Sequence, residues 1–253
     1  MAETPAGTSA STFPEPLLRL EGVHTHIGPY HILHGVYLEV PAGELTMLLG
    51  RNGAGKTTTL RTIMGLWQAS SGSIRFDGRE IAALPTPDIA RAGIAYVPES
   101  MGIFSDLTVR ENIVLAARSG PVDPARLDWM LGLFPALKRF WNLPAGHLSG
   151  GQKQMLAIAR AIAEPRRLLL VDEPTKGLAP VMVRSMIEAF RALKAAGETI
   201  LLVEQNFHAA SQLGDNVIVM DDGLVVHSGA MRDLVADKAL QQRLLGLSLD
   251  AHQ

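Results

Sequence analysis

The sequence predicts an α/β fold, a mixed sheet flanked by helices and interrupted by a helical insertion. Three observations carry this reading. Short apolar runs at 45–49, 168–171 and 199–203 have the length and flanks of buried strands. A glycine-rich loop separates the first run from a helical pattern that opens at Lys56. Residues 99–164 change character and carry helical patterns instead.

The elements follow in order. Strand-like stretches broken by turns begin at Leu18, and Ile74-Arg75-Phe76 running into Asp77-Gly78 is a strand meeting a turn. Helix starts fall at Thr108 and Ser149, each followed three positions later by Glu or Gln, the form of a capping box. The helix after Ser149 places Met155, Ile158, Ala159 and Ile162 on one face, and Pro165 bounds it. Strands at 217–220 and 224–227 form a hairpin with Asp222-Gly223 as its turn signal. Residues 230–253 read as helical and amphipathic. Residues 1–16, rich in Ala, Thr, Ser and Pro, read as a disordered tail. The remainder, 17–253, reads as one domain, with 17–98 and 165–253 forming the α/β core and 99–164 a helical subdomain.

Composition narrows the function classes. A chain of 253 residues buries a full core without a disulfide or metal staple. Its 23 Lys+Arg against 25 Asp+Glu give a net charge of −2, which argues against gripping nucleic acid through bulk positive charge. With no cysteine, a disulfide scaffold, an iron–sulfur cluster and a cysteine nucleophile are excluded. No apolar run approaches the roughly 18 residues of a membrane span. The first residues lack the basic and apolar segments of a secretory signal. A mean hydropathy of +0.16 points to an apolar docking surface.

The chemistry lies in three motifs. Residues 50–57, Gly-Arg-Asn-Gly-Ala-Gly-Lys-Thr, match the phosphate-binding pattern GxxxxGK[ST] in its required context between strand and helix. Its glycines let backbone N–H groups face phosphates, and the helix N-terminus adds favourable potential. Lys56 would reach the β and γ phosphates and Thr57 would occupy one Mg²⁺ position. Gly50, Asn52, Gly53, Ala54, Gly55, Lys56, Thr57 and Thr58 form the candidate nucleotide loop. The apolar strand at 168–171 ends in Asp172, a metal-side carboxylate, and Glu173, placed to orient or deprotonate an attacking water. Ser149, Gly150, Gly151 and Gln152 put bare N–H groups and a hydroxyl at a second helix N-terminus. Within one chain that second anion site is redundant. Two chains paired head to tail give it a purpose, closing over the γ-phosphate held by the partner's loop.

The order of phosphate loop, Leu148-Ser-Gly-Gly-Gln152 and apolar strand ending in Asp172-Glu173 resembles the ATP-binding cassette (ABC) family, over residues 18–247. Within it the chain is most similar to the ATP-binding subunit of bacterial branched-chain amino acid importers, the LivF type. The phrases that carry this are Ile32-Leu-His-Gly-Val36, residues 50–60, Val97-Pro98-Glu99, residues 172–180 and Val203-Glu-Gln-Asn206. Most of the family has Gln where this chain has Glu99, His where it has Gln205 and Asp where it has Ala179. The LivF type shares all three replacements.

The resemblance implies an ABC ATPase core with an antiparallel part at its N-terminus, using ATP and Mg²⁺. Glu99 would offer Mg²⁺ an oxygen, and Gln205 would hydrogen-bond the γ-phosphate without supplying charge. Hydrolysis would lean on Lys56, Glu173 and the partner's helix that opens at Ser149. The family's adenine-stacking tyrosine falls at Ile27, with His26 and Tyr30 as alternative contacts. Losing an aromatic stack worth about 1–3 kcal/mol weakens nucleotide binding by roughly 5- to 150-fold. The implied partners are a second ATPase subunit, identical or related, two integral permeases and, indirectly, a periplasmic binding protein. The implied location is the cytoplasmic face of the inner membrane. Importers of urea and short-chain amides resemble the chain almost as well. A soluble non-transport ABC ATPase would need a long coiled-coil insertion or two cassettes with a basic linker, and neither is present.

Other features read as structural. His24, His26, His31 and His34 invite a metal reading, but no organised carboxylate accompanies them, so solvated strand and loop residues are expected. Arg166-Arg167 reads as a solvated corner, and the scattered methionines as core filler.

Overall fold

The computed structural model describes residues 15–117 and 120–246. The expected tail 1–16 therefore lies almost wholly outside the described residues, as does the end of the expected C-terminal helix. Two sheets form the frame. The first is four-stranded and antiparallel, in the order β2-β1-β4-β5. It comprises β1 (Leu18–Ile27), β2 (Tyr30–Val40), β4 (Ala69–Phe76) and β5 (Arg79–Glu80). The second is six-stranded, in the order β10-β9-β3-β8-β7-β6. Its strands are β3 (Leu45–Gly50), β6 (Ile94–Val97), β7 (Leu168–Asp172), β8 (Ile200–Val203), β9 (Asn216–Asp221) and β10 (Leu224–Ala230). All its pairings are parallel except the β9–β10 hairpin at one edge.

The six-stranded sheet is the middle layer, and its inner strands β3, β7, β8 and β9 are buried on both faces. Leu45, Met47, Leu49, Leu169, Val171, Ile200, Leu202, Val217 and Val219 pack into one core against the helices. Their neighbours Leu48, Leu168, Leu170, Leu201, Val203, Ile218 and Met220 pack into a second core with the antiparallel sheet. Period-2 alternation thus sends successive apolar residues to opposite cores, and this is why these strands read as continuous apolar runs.

Helices α1 (Lys56–Ile63) and α2 (Thr86–Arg91) follow β3 and β5. Between β6 and β7 the chain runs through α3 (Val109–Ala116), α4 (Pro124–Leu133), α5 (Pro135–Arg139) and α6 (Gly150–Ala161). Both expected capping boxes are formed, Thr108 with Glu111 and Ser149 with Gln152. Buried Asn112 holds the approach to α3, its amide accepting from Phe104 N and donating to the Phe104 and Thr108 carbonyls. Then come α7 (Pro180–Ala195), α8 (Phe207–Leu213), α9 (Met231–Ala236) and α10 (Lys238–Leu245). The helical stretch expected over 230–253 is, in its described part, two helices parted at Asp237, whose carboxylate accepts from Leu240 N at 2.9 Å and so caps α10 as a new start.

Register positions the site. Leu48 on β3 and Asp172 on β7 both pair with Val203 of β8, so the carboxyl ends of the three strands lie side by side. Crevices at such strand ends are where parallel sheets bind ligands. One expectation fails at the far end of β7. Arg166 is not a solvated corner: its side chain is 10% exposed and pairs with Glu164 at 3.0 Å. Arg167 does reach the surface, pairing with Asp77.

Candidate functional site

The loop after β3 is shaped by glycine. At Gly50, with φ 143°, a Cβ would lie 2.2 Å from the Met220 carbonyl oxygen, so no side chain fits. Gly55, with φ 99°, is the N-cap of α1 and offers no side chain to the helix's first N–H groups. Those donors stay free for an anion. Lys56 is 5% exposed, and its Nζ donates to its own loop's carbonyls, Gly50 at 2.8 Å and Arg51 at 2.9 Å. Burial lowers its pKa, while Glu173 and Asp172 pull it back up. A buried ammonium held by neutral carbonyls is suited to an entering anion. Thr57 and Thr58 are half-buried, Ala54 is buried, and Asn52 and Gly53 stand exposed at the loop tip.

Two carboxylates face this loop. Asp172 is fully buried, accepting the Thr57 hydroxyl at 3.1 Å and the Tyr96 hydroxyl at 3.4 Å. Burial raises its pKa, opposed by the Thr57 bond and reinforced by Glu173 and Glu99. Burial, with the nearby Asp172 charge, also pushes the Tyr96 phenol up to about 12. A hydroxyl beside a carboxylate, with Glu99 nearby, is a hard all-oxygen donor set that suits Mg²⁺.

Glu173 has φ 49°, a left-handed backbone costly for a side-chain-bearing residue, of the kind that clusters at functional sites. Its N–H donates to Val203 O at 3.0 Å. Its Oε1 accepts Gln205 Nε2 at 2.5 Å, and its Oε2 is ion-paired with Lys176 Nζ at 3.0 Å. Burial alone would raise its pKa, but the Gln205 bond, Lys176 and Lys56 together hold it below the usual glutamate value. A charged, oriented carboxylate at this place can accept a proton from water.

The structure thus joins Lys56, Thr57, Asp172, Glu173 and Gln205, and ties Glu99 in through Lys176, whose Nζ also donates to Glu99 Oε1 at 2.7 Å. It does not join the second motif to them. Ser149 N donates to Gln152 Oε1 at 2.9 Å and Gln152 N donates back to Ser149 Oγ. Among the described residues, no hydrogen bond or ion pair links 149–152 to the loop. Gly151 packs against Met182, while a Cβ on Gly150 would meet nothing within 4 Å, leaving that backbone open on the surface.

Three site residues were missed from sequence. Glu204, 3% exposed, accepts from Thr175 N at 3.1 Å and from Gln205 and Asn206 N, bracing the loops that carry Glu173 and Gln205. Its signal was available: like Asp172, it follows a buried apolar strand. Tyr96 reaches Asp172 through the β6–β7 pairing, and Lys176 through the turn after Glu173. Neither contact leaves a mark in sequence.

The β1–β2 hairpin lies over the loop. Gly55 is tight against the Leu33 side chain, and His34 N donates to Gly223 O at 2.9 Å. At the hairpin's end Ile27 is half-buried and pairs with Tyr30, which is 70% exposed. The histidines are the exposed or half-buried strand residues expected, and their rings gather into one array. His31 stacks on His26 with ring centroids 4.1 Å apart, packs at 4.1 Å against His34, and shares a 3.0 Å hydrogen bond with His24. Cross-strand register in β1 and β2 assembles this array.

Comparison with known proteins agrees with this geometry. Residues 33–176 match the family described as ABC transporter. The chain is 41% identical over 232 residues to the high-affinity branched-chain amino acid transport ATP-binding protein BraG of Pseudomonas aeruginosa, covering 91% of this chain and all of that protein (100%). It is 35% identical to the probable branched-chain amino acid transport ATP-binding protein LivF of Archaeoglobus fulgidus, covering 91% of this chain and 99% of that one. It also resembles a dimeric ATP-binding cassette in a post-hydrolysis state bound to ADP and Pi, with a TM-score of 0.75 and 26% identity over 85% of this chain and 99% of that one.

Proposed function

This chain belongs to the ABC transporter family and is an ATPase of the LivF type, and we propose that it powers an importer of branched-chain amino acids. One observation carries the chemistry: Lys56, Thr57, Asp172 and Glu173 converge at the aligned ends of β3, β7 and β8. The loop N–H groups and Lys56 hold the phosphates. Thr57, Asp172 and Glu99 fit Mg²⁺ by their donor chemistry, and such an ion would neutralise charge on the phosphate oxygens. Glu173, kept ionised by Gln205 and Lys176, takes the proton of the attacking water. Gln205 orients that carboxylate and would hydrogen-bond the γ-phosphate. Ile27 stands where an aromatic would stack on adenine.

Head-to-tail pairing with a second ATPase subunit, identical or related, gives the open backbone at Gly150 its purpose. The helix start at Ser149, Gly150, Gly151 and Gln152 would then face the partner's γ-phosphate. The dimeric state of the resembling cassette supports this reading.

Coupling to permeases is supported by a groove of about 640 Å³ between α1, β6 and α6, lined in part by Trp67, Tyr96, Met101 and Ala157. Leu66, at its edge, and Phe104, Val114 and Leu115 of the α3 region are exposed apolar residues, each about half accessible or more. Arg160 sits over the Phe104 ring, 5.0 Å from its centroid. Such a surface fits the cytoplasmic face of an integral permease. A pair of permeases, and through them a periplasmic binding protein, would complete the machine, with the segment 99–164 transmitting motion as a rigid body about the Glu99 loop. No described helix is long and apolar enough to cross a membrane, so the chain would sit peripherally at the cytoplasmic face.

Affinity purification of the tagged chain from its native membranes in mild detergent tests this. Co-elution of two integral permeases and an ATPase partner is expected. Recovery with only soluble proteins would reject the importer reading.

A further inference from the structure

Lys176, like Tyr96 and Glu204, is a residue of the site outside its three chemical motifs. It sits in the turn between β7 and α7, and its single ammonium touches two carboxylates from separate parts of the chain, Glu173 Oε2 at 3.0 Å and Glu99 Oε1 at 2.7 Å. Glu173 is 8% exposed at its side chain, whereas Glu99 and Lys176 are about half exposed. Asp172 lies close enough to feel both glutamates. Three carboxylates therefore share this wall of the site, faced by the ammonium groups of Lys56 and Lys176. Lys56 is committed to the loop carbonyls. Among the described residues, Lys176 alone bridges Glu99 to Glu173. A lone exposed ion pair contributes little, but one cation shared by two carboxylates fixes where both point.

We propose that Lys176 is a positioning residue: its ammonium occupies the space between Glu99 and Glu173 before Mg²⁺ arrives with nucleotide, clamps the two side chains, and yields to the ion. This rests on the reading of Asp172 and Glu99 as metal-side carboxylates. Lys176 thereby balances the extra negative charge that Glu99 brings where most of the family carries a neutral glutamine. It also disfavours loading of the divalent ion in the absence of nucleotide, because its ammonium holds the Glu99 carboxylate that the ion would draw on.

Mn²⁺ binding to the full nucleotide-free chain, read by electron paramagnetic resonance, tests the proposal without any turnover. Lys176→Met keeps the stem and removes the charge, and a matching thermal melt confirms that it folds. It should bind Mn²⁺ about three- to tenfold more tightly than the parent, the effect of one partly exposed charge on a divalent ion. Lys176→Arg should bind as the parent does. Combining Lys176→Met with Glu99→Gln should return affinity toward the parent value. Parent-like Mn²⁺ affinity in Lys176→Met, or an equal gain in Lys176→Arg, would overturn the proposal. Asp172→Asn separates the two levels. If it abolishes Mn²⁺ binding while Lys176→Met changes nothing, only the role of Lys176 fails. Binding that survives Asp172→Asn would overturn the metal reading and this proposal together.

Discussion

The Gln205 amide donates to Oε1 of Glu173 at 2.5 Å, so a side chain from the loop after β8 holds the carboxylate that follows β7 in its charged form. A protonated histidine at that position would add charge; glutamine adds only a hydrogen bond. The bond favours the ionised carboxylate and lowers its pKa. Gln205→Ala removes it, so the Glu173 pKa rises and the base becomes protonated at higher pH. The acid limb of the ATPase pH profile should move to higher pH, with little change at the alkaline side. An unmoved acid limb would show that Gln205 does not tune Glu173.

Gly150→Ala separates folding from pairing. The added methyl meets nothing within 4 Å, and Gly150 has no positive φ, so the thermal midpoint should stay at the parent value. In the paired state the same methyl would stand between the helix N-terminus and the partner's γ-phosphate. ATP-dependent dimerisation, followed by light scattering in a hydrolysis-deficient background, should weaken by at least about tenfold. Gly151→Ala is predicted to behave differently, because its Cβ would press on Met182.

These contrasts show how much the sequence disclosed. The loop at 50–57, the strand-end pair Asp172-Glu173 and the capping boxes at Thr108 and Ser149 are each contiguous, and their chemistry depends on neighbours in the chain. They could be read directly. Tyr96, Glu204 and Lys176 enter the site through strand register and a turn, and no local pattern encodes which strand lies beside which. The inner strands of the middle sheet are apolar on both faces, so their runs announce burial but not partners. The break at Asp237 was hidden because the amphipathic pattern continues on both sides of it. The histidine array needed the β1–β2 pairing to become visible.

Ile27→Tyr should tighten Mg-ATP binding. The position lies at the end of β1, beside the turn of the hairpin whose Leu33 side chain lies against Gly55 of the loop. An aromatic face stacked on adenine contributes about 1–3 kcal/mol, or roughly 5- to 150-fold in affinity. Titration calorimetry on the parent and variant measures this, and equal affinities would mean that the base lies elsewhere, against His26 or Tyr30.

The histidine array makes the hairpin sensitive to acid. Partial desolvation, then the rings of His26, His34 and His24, lower the His31 pKa. A histidine with a lowered folded pKa contributes its full stability above the unfolded value near 6.5, and that contribution is lost as pH falls below it. The thermal midpoint should therefore drop between pH 7.5 and 5.5, values spanning the ordinary histidine range of about 6.5. The drop should be smaller in His31→Asn. Parallel pH dependence in parent and variant would remove His31 as its source.

The most direct test of the account is ATP turnover in Glu173→Gln, measured beside ATP affinity in the same preparation. The amide keeps the shape of the side chain and cannot take a proton. Parent-like ATP affinity is expected, with turnover reduced by about 10²-fold or more, the loss of a general base. Turnover within about twofold of the parent would contradict it, because transition-state stabilisation would then not depend on that carboxylate.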